Sequence, residues 1–257
     1  MIENQVNDFF MPAIFTSDIF TTVEVEVNTN CNRRCRYCPN GVLGPQSPPQ
    51  FMDETIFAQL LNNLQRLDFR GRISYHFYNE PLLRNDLEEL INQTKKQLPA
   101  AHPVLFTNGD LLTEERYLSL CKSGVEYFVV SAHGHQEHPS RPRQTVLNPT
   151  KLELTNRGGI IPFLPTATEQ ILRNPCFAPS EMLIVTVSGD ILLCYEDARK
   201  KFVMGNIMDK SIEAIWTGNQ FVSLRRLLSE GKRAESVDIC RVCNNLAHVH
   251  PGTSHLP

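Results

Sequence analysis

The chain has no run of apolar residues approaching the roughly 18 that span a bilayer, so no membrane-crossing helix is expected. It has no excess of positive charge either. Its 25 Lys and Arg stand against 28 Asp and Glu, a net charge of -3, which argues against a partner such as nucleic acid or an anionic membrane, bound by neutralising phosphates. The opening residues, MIENQVNDFFMPAIF, carry two acids ahead of a short apolar stretch and no basic segment. They read as neither signal peptide nor anchor, and a cytoplasmic protein is expected. Internal repeats and low-complexity tracts are absent too. What is present is the composition of an ordinary globular protein, 257 residues with 41% hydrophobic and 21% charged, enough for one sizeable core plus a small appendage.

Cysteine is the exception. There are eight, at positions 31, 35, 38, 121, 176, 194, 240 and 243, and seven of them fall into two separated groups. In a reducing compartment this pattern favours metal ligation or catalysis over a disulfide framework.

Short β-branched runs alternate with amphipathic helices along the first half. Residues 23–28 (VEVEVN) alternate with period 2 and deliver the first cysteines to a loop. A helix over 53–67, a strand over 72–77, a helix over 85–97, a strand over 103–106, a helix over 113–123 and a strand over 127–130 are expected to follow. Strand–helix alternation of this kind marks a parallel sheet or barrel. Residues 134–180 hold seven of the 17 prolines and less helical periodicity, with a strand expected at 151–155. Residues 182–195 read as a β-hairpin around Ser188-Gly189-Asp190. A helix from about 211 to 228 then leads to the last cysteines.

Cys31-Asn-Arg-Arg-Cys35-Arg-Tyr37-Cys38 is CX3CX2C after the first strand. Three thiolates at that spacing can fold round one face of an iron–sulfur cube and leave the fourth iron open. On spacing alone, a zinc site completed by His or Asp is the alternative. This motif, with its aromatic residue before the third cysteine, resembles the radical S-adenosylmethionine (SAM) superfamily. The similarity continues in order. Asn79-Glu80-Pro81, preceded by Tyr78, stands where that family has its GGEP-type segment against the SAM amino group. Thr107-Asn108-Gly109 matches its TNG segment near the ribose. Ser131-Ala-His133-Gly134 is similar to its SLDG segment near the SAM carboxylate. All four motifs follow expected strand ends, where β/α barrels build their sites.

Cys176, Cys194 and Cys240-X2-Cys243, with Gly189 between the first two, look like the shortened SPASM arrangement called twitch. The resemblance implies one auxiliary [4Fe–4S] cluster fully ligated by four cysteines and suited to passing electrons, hence two [4Fe–4S] clusters in all. A zinc or rubredoxin-like site is the alternative there. Cys121 reads as a buried apolar cysteine, or else as a thiol hydrogen donor.

The fold so implied is α/β, a truncated (β/α) partial TIM-type barrel with a small C-terminal twitch extension of β-hairpin plus helix. The expected divisions are an N-terminal extension at 1–20, the core at 21–170, the auxiliary-cluster domain at 171–247 and a flexible tail at 248–257. The implied activity is oxidation of a secondary alcohol of an aminocyclitol or sugar-like natural-product intermediate to a ketone. A 5'-deoxyadenosyl radical removes the carbinol hydrogen, and the auxiliary cluster takes the electron. Arg157, in Asn156-Arg157-Gly158-Gly159, is expected at the reacting hydroxyl, stabilising an alkoxide rather than acting as a base. Tyr195, Glu196 and Asp197 are candidate substrate contacts. The implied partners are a small-molecule substrate and an external one-electron donor such as flavodoxin or ferredoxin, with a monomer or weak dimer expected. A radical SAM peptide maturase and a sugar epimerase or dehydratase remain alternatives.

Overall fold

A computed structural model describes residues 20–44, 48–133, 138–151, 153–166 and 171–252. Gly134 and the expected boundary near residue 170 therefore lie outside the described residues. One sheet of eight strands organises the chain: β1 (Thr22–Val25), β2 (Arg72–Ser74), β3 (His102–Thr107), β4 (Tyr127–Ser131), β5 (Gln144–Leu147), β6 (Met182–Val185), β7 (Asp190–Leu192) and β8 (Val203–Asn206). Their spatial order is β5-β4-β3-β2-β1-β6-β7-β8. Neighbours from β5 through to β6 are parallel, whereas β6–β7 and β7–β8 are antiparallel. Parallel neighbours need crossovers, and helices supply several of them: α1 (Pro39–Leu43) and α2 (Glu54–Arg66) after β1, α3 (Leu87–Gln97) after β2, and α4 (Glu114–Ser123) after β3.

Side-chain alternation along the strands divides the interior into two faces. Val23, Val25, Ile73, Leu105, Phe128, Val130, Leu183 and Val185 face the helices, where Phe57, Leu60, Leu61 and Leu64 of α2 and Leu87, Leu90 and Ile91 of α3 complete the main core. Burying each such side chain contributes about 1.5–3 kcal/mol. The opposite, inner face holds Met182, Ile184, Leu192 and Phe77, then Val104, Tyr127 and Val129. The same parity puts Thr22, Glu24, Arg72 and Ser74 on that inner face. Helix ends follow their caps. Asp53 accepts from the Thr55 N–H at 2.8 Å, and Thr113 from the Arg116 N–H at 3.1 Å. Gly124 closes α4 in the left-handed region, at φ 116°.

Several expectations are corrected. The strand expected at 151–155 forms instead at Gln144–Leu147; Pro149 then lacks an N–H, and a 3-10 turn covers Pro149–Lys151. The single helix expected at 211–228 is two, α6 (Ile212–Trp216) and α7 (Asn219–Ser229). Between them Gly218 adopts φ -63°, ψ 142°, and the break lets Trp216 and Phe221 meet in the core with ring centroids 5.0 Å apart. The hairpin gains a third strand, β8. The tail expected to be free from 248 is held at its start: His248 is buried, its carbonyl accepts from the Phe177 N–H at 2.8 Å, and the Gly252 N–H reaches Glu181. Two more helices, α5 (Ala178–Glu181) and α8 (Asp238–Val242), flank the second cysteine group.

Candidate active site

The first cysteine loop folds tightly where β1 ends. The Cys38 N–H donates to the Cys35 carbonyl at 3.0 Å, and the Cys38 carbonyl accepts from Gly41 and Val42, so Cys38 opens α1. Only glycine fits at 41, because a Cβ there would stand 2.1 Å from the Cys35 carbonyl oxygen. Arg33 clamps the loop from outside. Its guanidinium donates twice to Asp110, at 2.6 and 2.5 Å, and once to the His133 carbonyl at 2.9 Å. The loops after β1, β3 and β4 thereby become one rigid rim.

The residues expected to hold SAM line that rim. Glu80 is 1% exposed and accepts from the Leu82 N–H at 3.0 Å, the Thr107 hydroxyl at 2.7 Å and the Asn108 N–H at 2.8 Å. Burial pushes its carboxyl above the usual range, and these donors pull it back. Asn108 reaches from there to Asn32 at 2.8 Å and to Cys31 Sγ at 3.8 Å. Gly109 turns at φ 78°, where a Cβ would meet His138 and Val130 within 2.7 Å. Pro81 starts a short 3-10 turn. Asn79 accepts from the Phe77 N–H, and its Nδ2 is buried without a partner among the described residues. Ser131 ends β4, half-buried. The Tyr37 hydroxyl bonds His133 Nδ1, which also lies 3.6 Å from Cys35 Sγ.

The second cysteine group closes round one cavity, lined by Cys176, Cys194, Cys240 and Cys243. Burial pushes all four thiols up, Cys240 to about 12. Among the described residues no three His, Cys, Asp or Glu are spaced to hold a single metal ion. Four thiols round one space, with Cys176 raising the proton affinity of the other three, fit a polynuclear cation that neutralises them as thiolates. Three thiols and an orphaned Asn79 donor suit a cluster with one open iron and a polar ligand beside it.

Arg157 stands between the two groups. It is the first of three consecutive residues at positive φ, with Arg157 at 51°, Gly158 at 59° and Gly159 at 84°. That costly turn aims a guanidinium whose side chain keeps 27% of its surface open. The guanidinium lies 5.7 Å from the Tyr78 ring centroid and 3.8 Å from Glu196. Burial works against its charge, yet Tyr78, Glu196, Tyr195 and Cys38 together hold its pKa above the normal arginine value. It therefore keeps its proton. Glu196 accepts from the Thr155 hydroxyl at 2.9 Å and Asn245 at 2.8 Å, while its other oxygen is buried without a partner among the described residues. The Tyr195 hydroxyl meets Asn245. Asp197 is the exception among the expected substrate contacts. At 1% exposed, it uses both oxygens to cap the Lys201 and Phe202 N–H groups. Cys121 sits on α4, packed against the helix-side core.

Reading the sequence missed Tyr78, Thr155 and Asn245. Tyr78 carries a hydrogen bond to the Tyr195 carbonyl at 2.6 Å, and its bulk in place of a motif glycine was the available signal.

A partial parallel barrel with a three-cysteine loop at its rim and a four-cysteine annex defines a radical SAM enzyme with an iron–sulfur extension. The Radical SAM superfamily model matches residues 25–159 and the SPASM iron-sulfur cluster-binding domain model matches 176–244, and the chain belongs to the radical SAM superfamily. A curated relative, the S-adenosyl-L-methionine-dependent 2-deoxy-scyllo-inosamine dehydrogenase of Niallia circulans, is 40% identical over 240 residues, covering 89% of this chain and 94% of its own. The crystal structure of BtrN in complex with AdoMet and 2-DOIA matches with a TM-score of 0.84 at 37% identity, covering 95% of this chain and 99% of that one. BtrN in an open conformation matches at 0.74, covering 93% and 96%. The GTP 3',8-cyclase of Aquifex aeolicus is 30% identical over 122 residues, 43% of this chain and 34% of its own. Among the described residues no helix is long and apolar enough to cross a membrane.

Proposed function

We propose that the chain oxidises a secondary alcohol of an aminocyclitol, 2-deoxy-scyllo-inosamine or a close analogue, to the ketone. The carrying observation is the position of Arg157, within electrostatic reach of Cys38 and 3.8 Å from Glu196, which follows Cys194 by two residues. The near full-length likeness to the Niallia circulans dehydrogenase supports the same reading. Cys31, Cys35 and Cys38 would hold an iron–sulfur cluster that, with SAM, would supply a hydrogen-abstracting deoxyadenosyl radical, and Cys176, Cys194, Cys240 and Cys243 would hold a second cluster as electron acceptor.

The chain's own residues do the rest. Arg157 holds the reacting hydroxyl oxygen and favours its deprotonated form, the proton passing to water rather than to the guanidinium. The unpartnered oxygen of Glu196 accepts a donor from the substrate, an amine or a second hydroxyl. Tyr78 backs the Arg157 guanidinium and ties the loop after β2 to the strand end that carries Cys194. Asn79, Glu80, Pro81, Thr107, Asn108, Gly109 and Ser131 form the SAM side of the site, with Tyr37 against the cluster loop. An external one-electron donor, flavodoxin or ferredoxin, completes the cycle for a monomer or weak dimer.

The test is an anaerobic assay with SAM, a reductant and aminocyclitols deuterated at the carbinol carbons. Ketone formation with deuterium in 5'-deoxyadenosine is expected. The nucleoside without ketone from any alcohol would refute the assignment.

A further inference from the structure

Arg233 is the largest fully buried side chain among the described residues, at 2% exposed. It lines the four-cysteine cavity beside Ala178, Pro179, Leu228 and Ile239. Its guanidinium donates to three backbone carbonyls: Asn174 at 3.1 Å, Pro175 at 3.3 Å and Asn245 at 3.0 Å. These acceptors immediately precede Cys176 and follow Cys243 by two residues, so one fork joins both arms of the site. The approach is built in by Gly231, at φ 74°, where a Cβ would stand 2.1 Å from the Arg173 carbonyl oxygen.

Among the described residues no ion pair joins Arg233 to a carboxylate. Glu196 shares the cavity, but the cation beside it is Arg157, 3.8 Å away. Carbonyl dipoles solvate a buried cation without neutralising it, and a buried charge left unmatched is strongly destabilising. The remaining negative charge in reach is that of the cysteines. Arg233 and all four cysteines line one and the same cavity, so whatever the thiolates hold there sits beside the guanidinium.

We propose that Arg233 is the counter-charge of the iron–sulfur cluster on Cys176, Cys194, Cys240 and Cys243, and that its fixed positive charge makes that cluster easier to reduce. The inference rests on the two-cluster reading above. Four thiolates give an iron–sulfur cube a net negative charge, and one electron adds another. A cation locked beside it in a low-dielectric pocket stabilises the more negative state more. Arg233 thus acts as a positioning residue for the electron rather than on substrate.

The test compares full-length wild type, Arg233→Met and Arg233→Lys after anaerobic reconstitution, reading iron per chain and reduction potentials by electron paramagnetic resonance. The first cluster is recognised by its response to SAM. Arg233→Met is expected to lower the equilibrium constant for electron uptake by the second cluster at least about tenfold, or about 59 mV. Arg233→Lys keeps the charge and should stay within about threefold of wild type. Loss of the second cluster from Arg233→Met but not from Arg233→Lys supports the proposal as well. An unchanged potential in Arg233→Met, an equal fall in Arg233→Lys, or cluster loss in both variants overturns it, because the fork would then be scaffold alone. A wild-type chain with about four irons overturns the two-cluster reading itself, and the inference with it.

Discussion

Replacing Glu24 by glutamine should flatten part of the pH dependence of stability. Glu24 lies on the inner face of β1, 7% exposed, with His76 Nε2 3.9 Å from its carboxylate. Burial raises its pKa from 4.5 to about 7, against the pull of Arg72 and Arg157. The folded chain therefore keeps a proton that the unfolded chain releases. The contribution of Glu24 to stability is greatest below about pH 4.5, falls as pH rises to about 7 and then levels. At about 1.4 kcal/mol per tenfold change in proton affinity, the whole fall is about 3 kcal/mol, of which about 1.4 kcal/mol remains between about pH 6 and 8.5. Glutamine has the same shape and no such proton. His76, held down to about 3 by burial and by Arg72 and Arg157, stays neutral in the folded state throughout that window. Glu26 and Glu80 are common to both proteins and cancel in the difference. Anaerobic urea unfolding of wild type and Glu24→Gln at the two pH values measures the effect. Equal pH slopes for the two proteins would refute the buried-carboxylate argument.

Arg157→Ala should lower ketone formation by about 100-fold or more, the usual loss for one charged donor at a reacting oxygen; equilibrium dialysis should find SAM binding within about twofold of wild type. Gly158→Ala forces a side chain to φ 59° with its Cβ 2.9 Å from the Glu196 carbonyl oxygen, so a loss of about 1–3 kcal/mol in thermal unfolding and a raised KM for the alcohol are expected. Asp110→Asn removes the anion under Arg33. It should cost the cysteine rim about 2 kcal/mol, visible as faster iron loss to a chelator.

The helices with a buried stripe and a capping residue were legible in the sequence. Asp53 and Thr113 cap α2 and α4 as their side chains suggest. Strands β5 and β8 were not. They are short edge strands with largely part-exposed residues, so their alternation carries little hydrophobic contrast. The break at Gly218 was hidden because apolar residues on both sides keep helical spacing. The cysteines announced themselves by spacing, since chelation is a local constraint. Tyr78, Thr155, Asn245 and Arg233 did not, because each acts on a partner more than ten residues away. No local pattern encodes such a meeting.

The pairing of β6 with β1 bears on how far the C-terminal part can be handled as a module. Thr22 to Val25 ladder directly with Met182 to Val185, so the strand that introduces the second cysteine group is itself an interior strand of the sheet. A cut near residue 175 would not release a detachable electron-transfer cassette. It would strip a partner from the middle of the sheet and leave β1 with a naked, apolar edge prone to pairing with other chains. For the same reason the separation of the two cysteine sites is set by a backbone ladder instead of a linker, and grafting one half onto another protein would have to carry that ladder along.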